Sequence, residues 1–270
     1  MSEATEPLFG SPIGTVELAF DPEGKVATIT FDRAPKLNAL TPEMLEALGQ
    51  ALTEVKHSRA AALVLRARAG KVFCVGADIE RFSGLAPVEM WRDWTTRGHD
   101  VFEALAHLRQ PSVAVVHGHA FGGGLELALA CDFRIAADGA LLGLPEVGLG
   151  TVPGWGGTGR LTKLIGAART KDVVLARRQI DAGTALDWGL VSRVAPLSGL
   201  DAELDDLIRS ITGAAPIAVQ LAKQLIDGAA DGAATPLLES LAGGLTAATA
   251  DLAEGIAAFR DRRPPTFGGN

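Results

Sequence analysis

Cysteine is scarce in this 270-residue chain: Cys74 and Cys131 are the only two, and both lie in apolar stretches without metal-ligand spacing. That pattern excludes a disulfide scaffold and a thiolate metal site, and it reads as two free thiols in a reducing compartment. Positive charge is also in deficit, with 25 Lys and Arg against 32 Asp and Glu and a net charge of −7. A general nucleic-acid binder needs the opposite balance, because neutralising phosphates supplies most of its affinity. An anionic small ligand needs only a local basic patch. No segment offers ~18 uninterrupted apolar residues, and the opening MSEATEPLFG is acidic and lacks the apolar core of a signal peptide. The expectation is a soluble cytoplasmic protein with neither a nucleic-acid nor a membrane partner.

Glycine is plentiful, at 32 of 270 residues, and has no G-X-Y period. Average usage is roughly 7%, so this backbone repeatedly needs tight turns or close approach. The length suits one large domain, or one domain with an appendage, and 47% hydrophobic residues suffice for a real core. Disorder, collagen and coiled coil are excluded.

The first part of the chain alternates strand and helix signals. Thr15 to Phe20 and Lys25 to Phe31 alternate apolar and polar residues around Asp21-Pro-Glu-Gly24, which predicts a hairpin. Thr41-Pro42-Glu43 predicts a helix start, and Met44, Leu45, Leu48, Leu52 and Val55 continue it at helical spacing. Short buried strands are expected at Ala61 to Leu65, Val72 to Val75, Ser112 to Val116 and Phe133 to Ala136, with helix over Pro87 to Leu108 and Leu125 to Cys131. That order is an α/β core. Beyond about residue 197 the signals turn helical. One apolar stripe, from Leu237 through Leu241, Leu245, Leu252 and Ile256 to Phe259, runs until Arg262-Arg263-Pro264-Pro265 stops it. Such a stripe must pack on its own core or on a neighbouring subunit.

Two acids are candidates for chemistry. Gly122-Gly123-Gly124 between a strand and an apolar helix leaves backbone N–H groups bare where the helix dipole favours negative charge. Glu126 follows within the first turn, ahead of Leu-Ala-Leu-Ala-Cys, where a carboxylate is expensive unless hydrogen-bonded or protonated. It either stabilises the helix N-terminus or serves a site. Glu146 is the only charge between Asp138 and Arg160, and it is either a solvated loop acid or the partner of Glu126. Two such carboxylates, brought together, polarise one water and push each other's pKa values apart. Val75-Gly76-Ala77-Asp78 follows a strand and offers another bare N–H, or a turn in which Asp78 caps the next helix.

Two patterns point elsewhere. Gly154 to Gly159 satisfies G-x-G-x-x-G, but Pro145 and Pro153 argue against the buried strand that a dinucleotide site requires. His117-Gly-His119 lacks a completing H-E-x-x-H or Cys pair, so no metal site is expected.

Several segments together resemble the crotonase, or enoyl-CoA hydratase/isomerase, superfamily, and enoyl-CoA hydratases most of all. They are Pro35-Lys-Leu-Asn38-Ala-Leu40, Phe73 to Ile79, His119 to Ala128, Cys131-Asp132, Pro145 to Gly150, Pro153 to Leu161 and Ala185 to Val194. The resemblance implies an α/β spiral of ββα turns as an acyl-CoA-binding core over residues 1–196. It also implies a helical oligomerisation region over 197–270 that builds a homotrimer or a dimer of trimers. It implies an acyl-CoA substrate and no cofactor, coenzyme A being part of the substrate. The thioester carbonyl would meet the N–H groups of Ala77 and Gly123, an oxyanion hole.

Both acids match hydratases: Glu126 would activate water, and Glu146 would deliver a proton at Cα. Isomerase branches often lack the acid matching Glu126. Further CoA- or substrate-binding positions carried over are Lys36, Leu37, Ala39 and Leu40 beside adenine, together with Gly76, Asp78, Ile79, Gly122, Pro145 and Trp155. Phe259 and Arg262 would reach the ligand of a neighbouring subunit, although Arg262 is also a charge favourable to a helix C-terminus.

The chain departs from the commonest hydratase pattern at Leu125, at Trp155 where a small residue is frequent, and in having no tyrosine. Trp155 is expected to shorten or flatten the acyl pocket, with Trp91 and Trp94 in the segment covering the acyl chain. An isomerase acting through the same enolate and a non-catalytic binding relative are the alternative readings.

Overall fold

The computed structural model describes residues 13–68 and 70–270; the acidic opening segment, residues 1–10, lies outside them. The hairpin forms as expected. Strand β1 (Thr15–Phe20) pairs antiparallel with β2 (Val26–Asp32), and Asp21 closes the turn by accepting from Val26 N at 2.9 Å. Thr41 caps α1 (Pro42–His57), its side chain accepting from Met44 N, and the helix buries Met44, Leu45, Leu48, Leu52 and Val55.

The chain then winds in a repeating pattern. Strand β3 (Ala62–Ala67) joins the sheet of β1 and β2, whereas β4 (Val72–Cys74) starts a second sheet. A short helix α2 (Ile79–Phe82) and α3 (Pro87–Glu89) follow, the latter continuing through a π-helical stretch at Met90–Thr95 into α4 (Thr96–Ala106). Strand β5 (Ser112–Val116) returns to the first sheet, β6 (His119–Phe121) to the second, and α5 (Gly123–Leu129) follows. The next turn repeats this with β7 (Phe133–Ala137), β8 (Leu141–Gly143) and α6 (Gly157–Leu175). Each ββα turn therefore gives one strand to each sheet. The large sheet has the order β1-β2-β3-β5-β7-β10 and the small one β4-β6-β8-β9, where β9 is Ile180–Asp181 and β10 is Arg193–Ala195. Helix α7 (Ala182–Asp187) connects them.

In the small sheet β4, β6 and β8 run parallel, so their carboxyl ends emerge side by side. The main core lies between the sheets and the helices α1, α4, α5 and α6, with Phe31, Phe73, Phe102 and Leu125 buried in it. A second cluster forms where α8 (Leu200–Thr212) covers the large sheet, Leu200, Leu204 and Leu207 packing with Val64, Val113 and Ile135.

Three more helices complete the chain: α9 (Pro216–Ala230), α10 (Thr235–Ala247) and α11 (Ala250–Asp261). The apolar stripe expected as one run is thus split over two helices, because Thr249 caps a new helix by accepting from Leu252 N. Leu237, Leu241, Leu245 and Phe259 remain exposed on it, Phe259 at 86%.

Helix α9 is fastened by a buried cation. Lys223 donates to the carbonyl of Ala106 at 3.0 Å and pairs with Asp132 at 3.0 Å and Asp227 at 2.9 Å. Asp132 in turn accepts from the backbone and hydroxyl of Ser112, at 2.7 and 3.0 Å. Truncating one partner of a buried ion pair leaves the other charge uncompensated, at a cost of about 3 kcal/mol or more. Lys223→Met is therefore expected to lower stability by about 3 kcal/mol in urea titration, and adding Asp132→Asn should recover part of the loss.

Candidate active site

The site grows from the three parallel strand ends of the small sheet. After β4 the chain turns through Gly76, whose φ of +98° is a left-handed conformation that a side chain resists. The turn is held by the 37–40 segment: Leu40 N donates to Gly76 O at 2.7 Å, and Asp78 N donates to Leu40 O at 2.9 Å. After β6, Gly122 (φ +53°, ψ −132°) swings the chain into α5. The two turns touch. A Cβ on Gly76 would lie 2.6 Å from Gly123 N, and one on Gly124 would strike the carbonyl of Cys74. Glycine at these positions lets the first turn of α5 press against the end of β4. After β8, Pro145 leads into a 3-10 turn, Glu146–Leu149.

All three turns face one cavity of about 200 Å³, lined among others by Ala77, Gly122, Gly123, Glu126, Pro145 and Glu146. The fold thus brings together the two acids that sequence spacing left apart. Neither Ala77 N–H nor Gly123 N–H donates to another group among the described residues.

The carboxylates differ in surroundings. Glu126 is buried on α5, and its Oε1 accepts from Trp155 N at 2.9 Å and Gly157 N at 2.8 Å. Burial raises its pKa, while those two N–H groups and the Arg160 charge oppose the rise. Glu146 makes no such contacts: both its carboxylate oxygens are buried without a hydrogen-bond partner among the described residues. Burial, with the Glu126 charge adding to it, pushes its pKa up from the usual 4.5 to about 7. Close to neutral pH, Glu146 is therefore able to hold a proton.

The Gly154–Gly159 segment follows the 3-10 turn rather than leading directly out of a strand, and it supplies the N–H groups that hold Glu126. Sequence reasoning missed how this loop is held. Arg160 donates to Trp155 O at 2.8 Å and also bonds Glu103 of α4. The signal was an arginine three residues into a helix whose first turn is otherwise glycine, threonine and glycine.

Other expected residues are placed variously. Trp155 and Ile79 line the cavity. Of the two covering tryptophans only Trp94 does; Trp91 is 65% exposed and stacks with Arg92, because the π-helical stretch turns it to solvent. Asp78 does not face the cavity. Its carboxylate caps α2 by accepting from Glu80 N at 2.9 Å and pairs at 2.6 Å with buried Arg33, so its part in the site is to fix the turn that carries Ala77.

Lys36 is paired with Glu80 at 3.0 Å, and Leu37 is exposed, whereas Ala39 and Leu40 are buried and border the Gly76 turn. Phe259 and Arg262, at the end of α11, are not part of the cavity wall within the chain; Arg262 (φ +56°) closes that helix. His119 Nδ1 accepts from Leu141 N at 3.1 Å, and both cysteine thiols are buried, which raises each pKa to about 12. Among the described residues no three His, Cys, Asp or Glu side chains converge as metal ligands, and no helix is long and apolar enough to cross a membrane.

Residues 21–270 match the family described as enoyl-CoA hydratase/isomerase. The chain is 38% identical to the short-chain-enoyl-CoA hydratase of Clostridium acetobutylicum, across 89% of this chain and 93% of that one. It is 36% identical to the crotonyl-CoA hydratase of Syntrophomonas wolfei, across 93% and 97%. Among solved structures, an enoyl-CoA hydratase from Bacillus anthracis superposes with a TM-score of 0.88 at 34% identity, covering 96% of this chain and all of the other. A spiral of ββα turns, two acids over one cavity and this likeness along nearly the whole length agree: the chain belongs to the enoyl-CoA hydratase/isomerase, or crotonase, family.

Proposed function

We propose that the protein is an enoyl-CoA hydratase, a hydro-lyase that reversibly adds water to a 2-enoyl-CoA thioester to give the 3-hydroxyacyl-CoA. The observation that carries the reading is the pairing of two unlike carboxyls with two undonated N–H groups around one cavity. The relatives named above are themselves hydratases.

In this mechanism the thioester oxygen accepts from Ala77 N–H and Gly123 N–H. A water oxygen bonds to Cβ, its proton passing to Glu126, while the double-bond electrons move to the thioester oxygen as an enolate. The two donors stabilise that charge as it forms, by about 3 kcal/mol each. Glu146 then gives its proton to Cα as the enolate collapses. Glu126 ends protonated and Glu146 ionised, and proton exchange with solvent resets the pair. No cofactor enters, coenzyme A being carried by the substrate. The adenine end would lie along Lys36 to Leu40.

The exposed apolar residues of α10 and α11 support a homo-oligomer, which the family resemblance makes a trimer or a pair of trimers. Phe259 and Arg262 would then face the ligand of the next subunit.

Crotonyl-CoA hydration, followed as loss of conjugated-thioester absorbance, tests the reading. Glu126→Gln and Glu146→Gln should each reduce kcat by about 10²-fold or more while the fold is retained; wild-type rates in both variants would refute the assignment. The pH profile has a defined sign. Hydration needs protonated Glu146, so kcat/KM should fall as pH rises through about 7. Stability follows the same group. The native state binds this proton more tightly than the unfolded chain, so its stabilising contribution is full below 4.5 and lost as pH rises to about 7. Urea midpoints of the wild type should therefore decline over that range more than those of Glu146→Gln.

A further inference from the structure

The cavity has one wall that the reaction does not explain. Trp155 is 3% exposed, and its indole stands directly against the reacting end of the cavity: a Cβ on Gly123 would lie 2.6 Å from its Cζ3. Its opposite edge reaches α4 at Gly98, where any added Cβ would collide with Nε1. The ring is closed in from the sides by Trp94, with centroids 5.6 Å apart, and Phe102, at 5.2 Å. Phe82 extends the same wall, 5.8 Å from Trp94.

Trp155 is thus a fixed partition. Its backbone is anchored by Glu126 on the N–H side and Arg160 on the carbonyl side. The indole cannot retreat either, because Gly98 has already given up its side chain to admit it and Phe102 fills the space beside it. Side chains packed to this density yield little to a ligand.

Granting the hydratase reading, we infer that Trp155, seated on Gly98, limits the acyl chain and makes the protein selective for short 2-enoyl thioesters such as crotonyl-CoA. With the thioester oxygen at Ala77 and Gly123 and Cβ facing the two carboxylates, the atoms beyond Cβ run into the Trp94–Trp155 wall. Long acyl chains find no channel there, and bulky branched groups meet the same ring. Trp155 acts here as a specificity residue. Its contribution to holding Glu126 is made through its backbone N–H, which substitution by any residue but proline leaves in place.

The test compares kcat/KM for crotonyl-CoA and 2-decenoyl-CoA in wild type, Trp155→Phe and Trp155→Ala. Discrimination in hydrophobic pockets runs at about tenfold or more per group excluded. The wild type should therefore favour crotonyl-CoA by about 100-fold or more, and the preference should fall at least about tenfold in Trp155→Ala through a gain on decenoyl-CoA. Trp155→Phe, which keeps most of the bulk in case the alanine variant fails to fold, should fall between.

A wild type that hydrates both thioesters equally, or variants with an unchanged ratio, would overturn the inference and leave the hydratase reading intact. A wild type that hydrates neither would overturn the hydratase reading and the inference with it.

Discussion

The contact between the end of β4 and the first turn of α5 is the constraint on which the site depends. Two successive turns of the spiral meet there with backbone against backbone, a distance only glycine permits at Gly76 and Gly124. That approach brings Gly123 N–H and the Ala77 turn together, from residues 46 apart in sequence. The parallel pairing of β4, β6 and β8 supplies the third member, since it delivers Glu146 beside Gly122. Much around the contact serves to hold it. Arg33 with Asp78 pins the outer side of the β4 turn, and Asn38, itself at φ +57°, ties the neighbouring loop to the carbonyls of Val72 and Phe73.

Chemical asymmetry between two glutamates follows from their surroundings. Glu126 has lost water and gained two N–H donors, so its charged form is partly compensated. Glu146 has lost water and gained none, and it sits in the field of Glu126. One residue type thereby yields a carboxylate suited to taking a proton and a carboxyl suited to giving one. The difference arises from a single loop, Gly154–Gly157, which Arg160 orients and from which Trp155 also forms the cavity wall.

Much of this was legible in the sequence. The hairpin, the Thr41 cap, the short strands and the glycine triplet announced themselves through turn chemistry and periodicity, which are local. The two acids stood out because each lies alone in apolar, glycine-rich sequence. Their meeting did not, since it depends on which strand ends are neighbours in the small sheet. The Asp78 cap was legible as a turn ahead of a helix, whereas its pairing with Arg33, 45 residues away, was not. Trp91 and Trp94 are equivalent by composition and three residues apart, yet the π-helical stretch buries one and exposes the other. The C-terminal stripe read as one face because apolar spacing passes over a cap, and Thr249 was the signal that divided it.

The fate of the water separates hydration from every other reaction of the same enolate. Crotonyl-CoA incubated with the protein in oxygen-18 water, and separately in deuterium oxide, should give a 3-hydroxy thioester carrying the heavy oxygen at C3 and one deuteron at C2. A product with deuterium but no oxygen-18, such as a shifted double bond, would show that the enolate forms and water does not add. That would contradict the assignment of Glu126 and Glu146 to hydration.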